Sequence, residues 1–311
     1  MDSVVSLIVL LTLGLAASWF LATGVWARLL LAGARGAAGL DSKTMSVDGL
    51  DWHYLRGGSG PLMVALHGFG GDADNWIRAA PILGRHFTVL APDFPGFGSS
   101  GSSNSLPFDI DSQVARLHAF LQQLGAAPVV LAGNSMGGWI ASAYARRYPN
   151  TIRALWLLAP LGVANSQRSA LLDAIGQDRE NPLTVTSKAQ FKRRIVRPMF
   201  GRKPWIPGPL MDYYARRAIR RGPQAVLQFR QVMASGEALE TIVKQLGLPI
   251  HLQWGSADQA VDPGGARALL QARPNIDLQM LEGVGHLAML EAPRKSVERF
   301  LRFCKNQNIL H

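Results

Sequence analysis

Val129-Val130-Leu131-Ala132-Gly133-Asn134-Ser135-Met136-Gly137-Gly138 is the stretch on which the reading of this chain turns. The apolar run from Pro128 to Ala132 predicts a short strand that ends at a tight turn, and helical spacing follows from Met136 to Arg147. Inside the turn lies Gly133-Asn134-Ser135-Met136-Gly137, a G-x-S-x-G pattern. A serine hydroxyl becomes a useful nucleophile when a sharp, strained turn at a sheet edge projects it to where a base can reach it. The residues two before and two after it are crowded there, which is why both are glycine. The helix that starts behind the serine also aims its free backbone N–H groups at any oxyanion that develops.

The 311 residues suit one large α/β domain with an insertion, or two small domains, and a hydrophobic content of 48% supports a sizeable core. Cys304 is the single cysteine, which excludes an intrachain disulfide; its helical spacing with Val297, Phe300 and Leu301 predicts a buried core thiol. The formal net charge of +11 is unevenly spread: residues 161–246 hold 15 of the 32 Lys and Arg but 6 of the 21 acidic residues. No run typical of nucleic-acid readers and no C-x-x-C zinc spacing occurs, so neither a nucleic-acid partner nor a metal or other cofactor is expected.

Ser3 to Ala27 contains no charged residue. As a helix, these 25 residues would reach ~37 Å, against a hydrocarbon core of ~30 Å. Trp19 and Trp26 lie toward the end of the run, where interfacial aromatics are common. The expectation is one N-terminal transmembrane helix, with residues 1–40 as anchor and linker. A cleaved signal peptide is the rival. No Lys or Arg precedes the run, and it is longer than the usual ~7–15-residue apolar region, although the Ala34-Arg35-Gly36-Ala37 stretch leaves cleavage open. Arg28, Arg35 and Lys43 follow the segment and Asp2 precedes it, which puts the body of the protein on the cytoplasmic side.

Beyond the anchor, residues 44–56 predict two antiparallel strands around Asp48-Gly49. Further strands are expected at Leu62 to Leu66, Phe87 to Ala91, Ala154 to Leu158, Ile250 to Trp254 and Leu278 to Leu281. Helices are expected at Ile110 to Leu124 and from Pro293 to Lys305. Strands alternating with helices imply a mainly parallel sheet with right-handed crossovers. Residues 161–246 break that rhythm and read as helices joined at Pro182, Pro198, Pro204, Pro207, Pro209 and Pro223. The expected organisation is therefore a core of 41–160 and 247–311 with a helical cap at 161–246.

A nucleophilic serine needs a base, and the base needs an orienting acid. His286, on the glycine-rich Glu282-Gly283-Val284-Gly285 loop after the last predicted strand, is placed to swing over Ser135. His67, beside Gly68 at a strand end, reads as a loop-shaping residue, and His53, His86, His118, His251 and His311 have no comparable setting. Asp258 follows the strand ending at Trp254-Gly255 and is the expected acid; Asp262 competes, although Pro263 points it to a role in starting the next helix. Two N–H donors are needed for the oxyanion: Met136, directly after the serine, and a residue of the His67-Gly68-Phe69-Gly70-Gly71 loop, with Phe69 first choice.

A His-Gly loop, a serine elbow, an acid and a histidine, in this order at strand ends, resemble the α/β-hydrolase superfamily over about residues 44 to 305. The Gly-Asn-Ser-Met-Gly-Gly elbow is similar both to meta-cleavage C–C hydrolases and to membrane-anchored monoacylglycerol lipases with their bacterial lipase relatives. Three features favour the lipases: the N-terminal segment, Ile110-Asp111-Ser112-Gln113-Val114, and the Gly285-His286-Leu287-Ala288-Met289-Leu290-Glu291-Ala292-Pro293 tail. The C–C hydrolases usually carry tryptophan after the histidine, where this chain has Leu287. The resemblance implies hydrolysis of a lipid-like carboxylic ester through a Ser135–His286–Asp258 triad, with membrane lipid as a neighbour. C–C hydrolysis or perhydrolysis by the same triad is the alternative, and a non-catalytic membrane-anchored binding protein a third.

Overall fold

A computed structural model describes residues 5–8, 18–19, 22–103, 105–125, 129–176, 181–234 and 236–310. The framework is one sheet of eight strands: β1 Leu40–Val47, β2 Leu50–Gly58, β3 Leu62–Leu66, β4 Thr88–Pro92, β5 Val129–Asn134, β6 Ile152–Leu158, β7 Ile250–Gly255 and β8 Asp277–Leu281. Their spatial order is β1-β2-β4-β3-β5-β6-β7-β8. β2 runs antiparallel to both neighbours, and every later pairing is parallel. The β1–β2 hairpin turns at Asp48 and Gly49, both with positive φ, as a two-residue turn with the strands' own twist requires. β3, an unbroken apolar run, lies inside the sheet between β4 and β5 and is buried beyond its first residue.

Among the described residues, helices of eight residues or more are α1 Thr23–Ala37, α2 Ile110–Gln123, α3 Met136–Arg147, α4 Gly208–Ala234, α5 Gly265–Ala272 and α6 Pro293–Asn306. One core layer packs α2, α3 and α5 on the sheet through residues such as Leu117, Phe120, Ile140 and Leu269. The opposite layer is built on α6, where Phe300 stacks on Trp156 with ring centroids 4.3 Å apart. Cys304 lies within that layer, and burial pushes its thiol up to about 12, so it is an inert core residue.

Chain order reverses at β3, which has β4 on one side and β5 on the other. In open parallel sheets the loops that leave strand ends at such a reversal part and create a crevice. Here those loops are the ones that carry Phe69 and Ser135.

One expectation needs correction, and another lies largely outside the described residues. Pro223 does not join two helices; it lies inside the 27-residue α4. A proline there forfeits one backbone hydrogen bond, but buried Met211 and Ala215 before it and Phe229 and Val232 after it hold both halves of α4 in place. The segment expected as a transmembrane span, Ser3 to Ala27, falls largely on residues 3–4, 9–17 and 20–21, outside the described residues. Among the described residues no helix is long and apolar enough to cross a membrane. Residues 23–27 form the first turns of α1, which carries Arg28 and Arg35, buries Ala27 and packs on α4. Trp26 donates to Ser18 Oγ at 3.1 Å and lies against Trp19.

Candidate active site

Ser135 stands between β5 and α3 with φ 55° and ψ −120°, a conformation that L-residues rarely adopt. The flanking glycines are sterically fixed. A Cβ at Gly133 would come within 2.2 Å of the Gly137 carbonyl oxygen, and one at Gly137 within 2.6 Å of that of His67. The strained backbone is tied down by the Ser135 N–H, which donates to Leu158 O at 3.0 Å. α3 begins at once behind the serine, so the first-turn N–H groups of the helix converge beside its hydroxyl.

His286 Nδ1 lies 2.8 Å from Asp258 Oδ2, and both side chains are buried. The other carboxylate oxygen of Asp258 accepts from the N–H groups of Ala260 (2.8 Å) and Val261 (3.0 Å). That cradle fixes the carboxylate, and the carboxylate fixes the ring through Nδ1. Asp262 sits instead before α5, where its backbone carbonyl accepts from Gly265. The His286 loop is held from a second direction, since its backbone N–H donates to Met199 O at 2.9 Å.

Phe69 and Met136 flank Ser135 from the two loops, and among the described residues neither backbone N–H has an acceptor. The Phe69 ring meets Phe97 and Phe229 edge-on, at 5.4 and 5.0 Å. His67 shapes this loop. Its Nδ1 bonds Gly68 O at 2.7 Å, its Nε2 accepts from Phe94 N–H at 3.1 Å, and burial lowers its pKa, so the ring is neutral.

A second Ser-His-Asp chain occurs elsewhere: Ser42 Oγ is 2.7 Å from His53 Nε2, and His53 Nδ1 is 2.8 Å from Asp93 Oδ2. Ser42 lies within regular β1 and lines no part of the cavity described next. The Asp93 carboxylate also accepts from the N–H groups of Ala73 and Ser99, so this relay braces loops. Three groups in register are therefore not a site without the turn, the donors and the space.

Ser135, His286 and Phe69 open onto one cavity of about 330 Å³. Its walls are mostly apolar, with Ile175, Phe191, Val196, Met199, Phe200 and Ile206 supplied by the insertion between β6 and β7. Met199, Phe200 and Ile206 thus face the cavity, while Trp205 is 83% exposed. A polar point interrupts the wall: Arg217 of α4 donates to Asp72 Oδ2 at 2.8 Å. Burial pushes the Asp72 carboxyl up to about 7 against the pull of that guanidinium.

Asn134 has a role that the motif did not reveal. Its Nδ2 donates to both Leu158 O and His286 O, each at 3.1 Å, and so ties the serine turn to the histidine loop. A side-chain amide at the variable position of G-x-S-x-G was the available signal. Asn134→Ala is expected to cost about 1–3 kcal/mol of stability, the scale for buried acceptors left unpaired. Chemical denaturation beside steady-state kinetics checks this; unchanged stability together with unchanged kcat would contradict it.

Known proteins share the fold of this chain. A family model described as the alpha/beta hydrolase fold matches residues 61–293. The chain is 30% identical to Lipase 3 of Moraxella sp., over 79% of this chain and 78% of that protein. It is 27% identical to monoacylglycerol lipase ABHD6 of Homo sapiens, over 80% of this chain and 76% of that one. Among solved structures, a membrane phospholipase A, described as a bacterial virulence factor, matches with a TM-score of 0.88 and 30% identity, covering 99% of both chains.

Proposed function

The chain belongs to the alpha/beta hydrolase family, and from that premise we propose that it is a lipase-type carboxylic ester hydrolase acting through Ser135, His286 and Asp258. The observation that carries this reading is the cradled Asp258–His286 pair opening onto the same cavity as the strained Ser135 turn.

Ser135 Oγ attacks the ester carbonyl while His286 Nε2 takes its proton. The Phe69 and Met136 N–H groups stabilise the oxyanion, and the alkoxide leaves with the proton that His286 returns. Water, deprotonated by His286, then attacks the acyl-serine and releases the carboxylic acid. Asp258 stays ionised and holds the imidazolium in place. The apolar wall suits an acyl chain, and the lipase names of the relatives support a lipid-like ester. Residues 161–246 act as a cap over the cavity.

The test is a panel of p-nitrophenyl esters of graded chain length, assayed beside a meta-cleavage C–C substrate. Ester turnover that depends on chain length is expected. Cleavage of the C–C substrate without ester turnover would contradict the reading.

We further place the chain at a membrane, with the charge-free segment within residues 3–27 as its anchor and the catalytic body on the cytoplasmic side. Deleting residues 1–21, which keeps α1 whole, is expected to let a high-salt wash move ester hydrolysis from the membrane to the soluble fraction. Deleting residues 1–37 removes the Arg35 bridge to Asp74 (2.7 Å) and uncovers α4, and is expected to lower thermal stability as well. Activity that stays on membranes through the high-salt wash after the shorter deletion would contradict the anchor.

A further inference from the structure

A second cleft, of about 610 Å³, lies between α1 and α4, apart from the catalytic cavity. Arg28 and Arg35 line it from α1, and Tyr213, Arg216 and Arg220 from α4. Arg28 and Arg35 are seven residues apart, as are Tyr213 and Arg220, so each helix presents a single stripe. The two stripes face each other across the gap.

The charge of this cleft is not balanced. Arg35 is neutralised by Asp74, to which Nε and Nη2 donate at 2.7 and 2.8 Å. Arg28 donates only to the Gly24 carbonyl of its own helix, at 3.3 Å. Among the described residues neither Arg216 nor Arg220 has an acidic partner, and no acidic side chain lines the cleft. Asp212, next along α4, is engaged by Lys188. The crowding reaches Arg221, whose pKa is lowered by burial and then by Arg217 and Arg220.

Arg216 and Arg220, four residues apart on α4, repel each other, and a bound anion would remove that cost. Guanidinium forks match the paired oxygens of a phosphate, and the Tyr213 and Thr23 hydroxyls at the cleft add neutral donors. Leu31 of α1 lines the cleft and gives the anion site an apolar border, and Val25 and Leu29 are exposed on the same helix. Inorganic phosphate has no use for such a border; a phospholipid, whose phosphate sits at the root of its acyl chains, does.

We propose that the α1–α4 cleft is a phosphate-binding site and that its occupant is the phosphodiester of a membrane lipid head group. The site is separate from Ser135 and does not depend on its chemistry. It would seat the catalytic body on anionic lipid through two elements at once, the helix that follows the N-terminal segment and the longest helix of the cap.

The test uses the full chain in neutral detergent and isothermal titration calorimetry. The probes are inorganic phosphate and glycerophosphoglycerol, the deacylated diester of a common anionic lipid. Both probes lack a carboxylic ester, so the result is independent of catalysis. The diester is expected to bind, and Arg216→Gln/Arg220→Gln to weaken it roughly tenfold or more, the scale of losing charge-assisted hydrogen bonds. Arg28→Gln, on the opposite wall, is expected to weaken it in the same direction. Arg302→Gln, an exposed arginine outside the cleft, should leave it unchanged. Thermal melts of each variant confirm an intact fold. Binding of inorganic phosphate alone would keep the anion site but overturn its assignment to lipid. Failure to bind either probe, or equal weakening by Arg302→Gln, would overturn the site itself.

Discussion

Ser135→Ala is expected to abolish ester hydrolysis, by ~10⁶-fold in kcat on the scale of other serine nucleophiles, while leaving the fold intact. The strain at φ 55° belongs to the backbone, and alanine carries the same Cβ, so the substitution neither relieves the turn nor adds a clash. The hydroxyl also caps nothing, since no side-chain bond from Ser135 to α3 exists. Thermal stability should therefore match the unaltered protein while turnover disappears. Residual activity within about tenfold of the original would contradict the nucleophile assignment, because losing a true nucleophile costs orders of magnitude.

Asp258→Asn is the second large effect, expected near ~10⁴-fold in kcat. The side-chain oxygen of asparagine can still accept from Ala260 and Val261, so the loop keeps its cradle. The amide nitrogen then faces His286 Nδ1 and donates to it, which moves the ring proton to Nε2. A ring protonated at Nε2 cannot accept the proton of the serine. Asp262→Asn should have little effect, because that side chain stands outside the histidine contact. Kinetics on the two variants side by side decide the matter; greater damage from Asp262→Asn would mean that the wrong acid has been assigned.

Much of this arrangement is legible locally. The Leu62 to Leu66 strand and the Met136 to Arg147 helix fall where apolar period and glycine punctuation put them. The serine turn is readable because its constraints are short-range: Gly133 and Gly137 meet backbone that is within a few residues or on the adjoining strand end. Asp258 and Asp262 are a different case. Both follow β7, and only the three-dimensional course of the turn at Ala260 and Val261 brings one of them against His286. The links between distant segments leave no local pattern at all. Arg35 meets Asp74 and Arg217 meets Asp72 across separations of 39 and 145 residues. Pro223 misleads for the converse reason, since a local breaker is overruled by packing on both of its sides.

The central claim is that Ser135 is the nucleophile of an ester hydrolase. The most direct measurement is to label the full chain in a membrane fraction with a fluorophosphonate and map the adduct by mass spectrometry. One covalent adduct is expected, on the peptide that contains Ser135, and none in Ser135→Ala. An adduct on another serine, Ser42 included, or labelling that survives Ser135→Ala, would contradict it.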